Sequence, residues 1–332
     1  MNISKFFTSV FFIVIFSSIV LAEDGVIKFA TLAPEGSAWM KVMREWNQEL
    51  SEKSGGKLKF KIYSGGVSGD EKDVIRKIRL GQLQAGGFTG VGLGEIAPEA
   101  RILDAPFLFK NYEEVDTLYQ KFGAEFRSMF EKKGYVLLGW TEVGFIYFFT
   151  EEPVQNFSEL KKIRMWVWEG DPIAGSVYKA LELSPISLSI TDVMTSLQTN
   201  LIGGVYCSPL AVIALQWFTR TKYMIDYRLA NVSGAVLVSK KAFDKLSPNL
   251  QALLLETGEK YLTRLNAISR AENQNSIETL KKNGIKIVAI PPHLNSQYEL
   301  LGQKARALLV GKLYSFELLK KIEKSLEEYR KK

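Results

Sequence analysis

Hydrophobic positions change their period several times along the chain, and the changes mark out its elements. Val26 to Thr31 reads as a strand, and after the turn at Pro34-Glu35-Gly36 a helix begins with Ser37 as its cap. Trp39, Met43, Trp46 and Leu50 recur at helical spacing and give that helix one apolar face. Leu58, Phe60 and Ile62 alternate with Lys59 and Lys61, the pattern of a strand with one wet side. A helix from Asp70 to Leu80 stops at Gly81, and Gln84 to Thr89 makes a short strand. The order β-α-β-α-β implies crossover connections and a largely parallel sheet. Ligands of such sheets sit beyond the carboxyl ends of the strands, here Thr31-Leu32-Ala33 and Phe88-Thr89-Gly90.

The alternation continues in a second block. Glu113 to Lys133 carries Val115, Leu118, Phe122, Phe126 and Phe130 on one helical face, and Tyr135–Trp140 and Phe145–Phe149 follow as strands. Asp171-Pro172 and Ser208-Pro209 each place proline after a capping residue, so a helix should start at both. Thr191 is the expected cap of a further short helix running to Leu197, and Gly203 to Tyr206 returns as a strand. Ala235 to Ser239 is one more apolar strand, which the first sheet can accept. A helical pattern then runs from Ser247-Pro248 to Gly284, long enough to reach about 50 Å at 1.5 Å per residue. One compact lobe has no use for such a helix, whereas two lobes sharing it do. Ile285 to Ile290 is a last strand, followed by two helices. The expected division is discontinuous: residues 23–146 with 233–270 in one lobe, and 147–232 with 271–332 in the other.

Composition narrows the setting. Of 332 residues, 46% are hydrophobic and 24% charged, ordinary for a globular protein, and the net charge of +7 comes from scattered lysines rather than a basic stripe with aromatics. Nucleic acid is therefore not an expected partner. Lys5, the apolar run from Phe6 to Val20 and the small residue at Ala22 form the pattern of a cleaved secretory signal peptide over residues 1–22, which places the mature chain outside the cytoplasm. Cys207 is the one cysteine, so no intrachain disulfide is available.

Catalytic chemistry has little to work with. His293, the one histidine, follows Pro291-Pro292 in a turn, and no pattern brings it to Cys207. No carboxylate cluster has metal-ligand spacing, Asp192 and Glu182 read as charges near helix ends, and neither cofactor nor metal is expected. The glycines at 86, 87, 90, 92 and 94 fit no phosphate-binding fingerprint and point to close backbone packing. The stretch from Lys161 to Ser208 is more informative. Arg164 precedes Met165-Trp166-Val167-Trp168, so its guanidinium needs an anion, whether a ligand or a carboxylate of the protein. By strand alternation Arg164, Trp166 and Trp168 share one face, read as a row facing a cleft.

At these residues a family resemblance emerges. SELKKIR at 158–164, LELSPISLSITDVMTSLQTNLIGG at 181–204, KFATLAPEGSAW at 28–39 and SGGVSGDEKDVIRKIRLGQLQAGG at 64–87 resemble the extracytoplasmic substrate-binding proteins of tripartite ATP-independent periplasmic (TRAP) transporters. The resemblance covers nearly all of the mature chain in order. It implies a two-lobed α/β periplasmic binding-protein fold, with mixed sheets flanked by helices, hinge strands and a shared long helix. It also implies closure over an organic acid, an arginine at Arg164 holding the ligand carboxylate, and membrane subunits as partners, in some systems with a helical-repeat periplasmic protein. The chain departs from the pattern at Gly203-Gly204-Val205-Tyr206-Cys207-Ser208-Pro209, where relatives carry more polar residues, and at Leu32, Thr89 and Ile146, which align with polar ligand contacts. The expected ligand is thus an organic acid with a hydrophobic body. Arg164 would hold its acid group, with walls from Trp166, Trp168, Phe88, Phe145, Ile146, Leu32, Tyr206, Cys207 and Ser208 and hydrogen bonds from Thr31 and Thr89. The alternative is an interaction scaffold on the same fold, its cleft occluded and Arg164 paired internally.

Overall fold

The computed structural model describes residues 25–331, so the expected signal peptide lies outside the described residues. The first lobe opens with β1 (Gly25–Ala30), α1 (Ala38–Lys53), β2 (Leu58–Tyr63), α2 (Glu71–Arg79), β3 (Ala85–Thr89) and α3 (Gly90–Ile96), then a 3₁₀ turn at Pro98–Asp104 and α4 (Tyr112–Lys132). A long strand β4 (Tyr135–Thr150) leads into the second lobe. There β5 (Trp166–Trp168), α5 (Pro172–Ala180), β6 (Ile186–Leu188), α6 (Val193–Gln198), β7 (Gly204–Cys207), α7 (Pro209–Ala214) and β8 (Tyr223–Asp226) follow. β9 (Ala230–Ser239) returns to the first lobe, with α8 (Lys240–Phe243) and α9 (Pro248–Lys282) after it. β10 (Lys286–Ala289), α10 (Asn295–Ala307) and α11 (Phe316–Arg330) complete the described chain.

The main sheet has the order β10-β8-β4-β9-β3-β1-β2, with β7 also paired to β4. β1 runs parallel to β2 and β3, but β9 pairs antiparallel with both β3 and β4. The sheet is mixed rather than largely parallel, because β9 returns from the second lobe and inserts antiparallel between β3 and β4. Both faces are covered, and successive residues alternate between two cores. Val136, Leu138, Val236 and Val238 pack with Trp46 of α1 and Leu254, Leu262 and Leu265 of α9, whereas Leu137 and Leu237 belong to the core shared with Phe122, Phe126 and Phe130 of α4.

Where two strands were expected, at Tyr135–Trp140 and Phe145–Phe149, a single strand runs through. β4 stays paired to β9 from Tyr135 to Ile146, with irregularities between Leu137 and Gly139 and between Glu142 and Gly144. Gly144 has φ +96°, a conformation that side chains with a Cβ resist, so a glycine there lets the strand bend without leaving the ladder. α9 spans 35 residues and packs on α1 at one end and α7 at the other. β4, β9 and α9 thus cross between the lobes as unbroken elements. Two details differ from expectation. α11 packs on α4 of the first lobe, with Lys321–Glu125 and Arg330–Glu114 pairs at 2.8 Å, although residues 271–332 were expected in the second. α6 begins at Val193, and the Thr191 hydroxyl bonds Ser189 instead of capping it.

Candidate functional site

Between the lobes lies a cavity of about 500 Å³. The carboxyl ends of β1 and β3 open onto it through Thr31, Leu32, Phe88 and Thr89, and the loop Ala33–Ala38 with Trp39 forms its first-lobe rim. The second lobe contributes Trp166 and Trp168 from β5, Tyr206 and Cys207 from β7, Ser208, and the apolar residues of α7 and its extension, including Leu210, Ile213 and Trp217. Trp166 stacks on Tyr206 at 4.9 Å and 21°, lies 6.1 Å from Trp168, and meets Trp217 edge-on at 5.5 Å. These rings form one continuous wall.

Ten of the twelve expected site residues line this cavity; Arg164 and Phe145 do not. Arg164 is exposed to solvent. β5 begins only at Trp166; Met165, 1% exposed, bridges to Gly204, and the Arg164 carbonyl accepts the Gly203 amide. The chain is turning outward at 163–164, so alternation from Trp166 does not extend back to Arg164, and the expected row on one face does not form. Phe145 is buried outside the cavity lining, 4.9 Å from the Tyr112 ring and beneath the guanidinium of Arg228 at 4.7 Å.

The cavity's cation is one that local sequence did not single out. Arg101, in the 3₁₀ turn and only 3% exposed, holds Asp171 Oδ1 through Nη2 at 2.8 Å. Its Nε lies 3.0 Å from Asp104 Oδ2, a contact of charges without hydrogen-bond alignment. Asp104 also accepts the Ser233 amide of β9 at 2.8 Å. Asp171, expected as a helix cap, does accept the Ile173 amide, and in addition receives the Tyr206 hydroxyl at 2.9 Å. Tyr206 in turn accepts the Trp168 amide at 3.2 Å. Burial pushes the Asp104 carboxyl up to about 7 despite the opposing pull of Arg101, and raises Tyr206 far above its ordinary range.

Glu71, 2% exposed at the start of α2, is the second buried charge. It accepts the amides of Thr89 and Gly92 at 2.7 and 2.6 Å and the Thr89 hydroxyl at 3.0 Å. No cation approaches it among the described residues, and burial raises it to about 7. The glycine-rich stretch explains how these charges fit. A Cβ at Gly90 would stand 1.6 Å from Asp104 Oδ2, so only glycine lets α3 pass over the buried carboxylate. A further tie crosses the cleft from Asp70, whose Oδ2 accepts Trp168 Nε1 at 2.9 Å, the Ser189 hydroxyl at 2.6 Å and the Ile190 amide at 3.3 Å. Asp70 and Arg101 are first-lobe residues, whereas Asp171, Trp168, Ser189 and Ile190 belong to the second, so these bonds bridge the cleft.

Cys207 lines the cavity, but burial of its thiol pushes it up to about 12, and His293 stands exposed on a separate 3₁₀ turn. The pair has none of the proximity that nucleophile and base require. Among the described residues no three His, Cys, Asp or Glu are grouped to hold a metal ion.

Residues 29–304 match the family of bacterial extracellular solute-binding proteins, family 7, called DctP. The chain belongs to this family. It is 25% identical over 249 residues to a solute-binding protein of Sulfitobacter sp. (strain NAS-14.1), covering 74% of this chain and 75% of that one. It is 24% identical over 247 residues to the 2,3-diketo-L-gulonate-binding periplasmic protein YiaO of Escherichia coli (strain K12), with 74% and 75% covered. A TRAP periplasmic solute-binding protein from Xanthobacter autotrophicus Py2, solved with bound β-D-galacturonate, shares the fold with a TM-score of 0.83 at 20% identity, over 90% of this chain and 99% of that one. The DctP family consists of extracellular solute-binding receptors rather than enzymes.

Proposed function

We propose that this DctP protein captures an organic acid with a substantial hydrophobic body between its lobes and delivers it to the membrane subunits of a TRAP system. The acid class comes from the relatives, whose names carry diketogulonate and galacturonate. The hydrophobic body rests on one observation: the polar groups around the cavity are already used by one another. Thr89, Tyr206 and the Trp166 and Trp168 ring nitrogens all bond within the protein, the last two to Leu188 and Asp70. What remains facing the space is mostly aromatic and aliphatic wall, with the Thr141 and Ser269 hydroxyls as the exceptions. A polyhydroxylated sugar acid entering it would lose water and find few partners, at about 1–3 kcal/mol for each unmet hydroxyl. An alkyl or aryl body loses nothing and gains about 25 cal/mol per Å² removed from water.

A scaffold with an occluded cleft is not favoured, since the space between the lobes has the volume of a small-molecule site. Delivery to membrane subunits, with a helical-repeat intermediary in some systems, follows from the resemblance. The test is native mass spectrometry of gently purified protein, with extraction of what co-purifies. A bound mass of an aliphatic or aromatic acid supports the proposal. Tight binding of galacturonate or gulonate with no response to apolar acids overturns it.

A further inference from the structure

Of the charged residues lining the cavity, Glu35, Glu71, Glu142 and Asp171 are carboxylates, and Arg101 is the one cation among the described residues. An ionised acid group taken out of water must be met by charge-assisted donors, and a free cation is the strongest of these. Arg101 is not free. It already carries Asp171 and Asp104, one on each side, so a ligand carboxylate at its remaining amino group would be the third around one guanidinium. Glu71 adds a further buried carboxyl with no cation of its own.

The surroundings offer no relief from any packed element. On β4, Glu142 is matched by Arg270 of α9 at 2.6 Å, and that arginine is shared with Asp116 of α4, also at 2.6 Å. Glu35 at the rim is matched by Arg44. Tyr206, Tyr178, Tyr119 and Tyr314, the tyrosines that feel this cluster, are all held neutral by burial and contribute no positive charge.

We infer that the solute's acid group enters this site only together with a proton, so that the receptor binds the uncharged acid and takes uncharged analogues of the same shape at least as well. The inference rests on the cavity being the solute site and adds the charge state of what it accepts. The proton comes from solvent and stays on the solute carboxyl or on the carboxyl facing it. The raised positions of Glu71 and Asp104 agree with this balance: the corner holds on to protons instead of gathering more negative charge.

Four tryptophans line the cavity, Trp39, Trp166, Trp168 and Trp217, so ligand entry can be read from intrinsic fluorescence. The experiment titrates the protein with decanoic acid and with decan-1-ol from about pH 5.5 to 8.5. Decanol affinity should stay within about threefold across the range, while decanoate affinity should fall by about tenfold per pH unit on the alkaline side. In Asp104→Asn, which frees one side of Arg101, decanoate binding at about pH 8 should strengthen at least tenfold and lose its pH dependence. Decanoate binding that is tight and independent of pH in the unaltered protein overturns the inference and leaves the hydrophobic-body reading standing. Failure of both probes to bind removes that reading and the inference with it. The unaltered protein decides the matter even if Asp104→Asn does not fold.

Discussion

Arg101 lies in a 3₁₀ turn at 3% exposure with a carboxylate on either side, whereas Arg164 lies just outside β5 with its side chain in solvent. Both stand beside apolar residues in sequence, in RILDAPFLF and in KIRMWVW. The difference is made by what arrives from elsewhere. Gly90 and Gly94 of α3 give Arg101 room, Asp171 reaches it across the cleft, and the Ser233 amide of β9 fixes Asp104. Nothing comparable comes to Arg164, whose backbone carbonyl is engaged while its side chain is not. A strand of apolar neighbours buries an arginine only if the strand continues through it.

The most severe way to probe this contrast is to remove the buried partner. Arg101→Met should leave Asp104 and Asp171 uncompensated and destabilise the fold by about 3–5 kcal/mol in urea unfolding. A loss below about 1 kcal/mol would mean that the cluster is wet and weak. Gly90→Ala comes next, since its methyl group would collide with Asp104. The cost should be about 1–3 kcal/mol, and restoring room with Asp104→Ser in the same chain should recover part of it.

Asp70→Asn keeps the helix cap but weakens three bonds across the cleft. Solute release should quicken by about tenfold in stopped-flow fluorescence, corresponding to about 1.4 kcal/mol. Unchanged release would show that Arg101–Asp171 alone holds the lobes.

The unpaired carboxyl at Glu71 predicts a pH effect. Its folded-state position, about 7, lies above its ordinary one, so the folded state binds more protons between about pH 4.5 and 7. Stability from this group is fully present below that window, falls as pH rises through it by at most about 1.4 kcal/mol per pH unit, and is level above. Glu71→Gln should flatten that portion of a pH series of urea unfolding curves. The smallest effect is expected on the other side of the comparison: Arg164→Ala should change stability by less than about 0.5 kcal/mol and leave solute affinity within about twofold. A tenfold loss of acid binding would restore Arg164 as a ligand residue.

Much of the fold was legible because its signals are local. Ser37, Asp171 and Ser208 cap where expected, the amphipathic face of α4 is buried, and α9 runs from Pro248 to Lys282. The cleft's aromatic wall was legible for the same reason, since Trp166, Trp168 and Tyr206 sit on short strands of clear period. The charged corner was not. Asp70 and Asp171 each cap a helix and also bind the opposite lobe, and a capping pattern hides the second role. Glu71 and Arg101 carry no local pattern that sets them apart, and the trace they left was the run of glycines opposite them, which signals close approach without naming what approaches.

The register that joins the lobes also sets the order in which the chain can be completed. Gly86 of β3 pairs with Leu237 of β9, and the whole of the second lobe's β5 to β8 is encoded between them. One side of β3 therefore stays without a neighbour until synthesis is well past that lobe. Pairings so distant along the chain form slowly. A slow-folding chain remains extended and threadable for longer, a property that suits passage of an unfolded chain across a membrane.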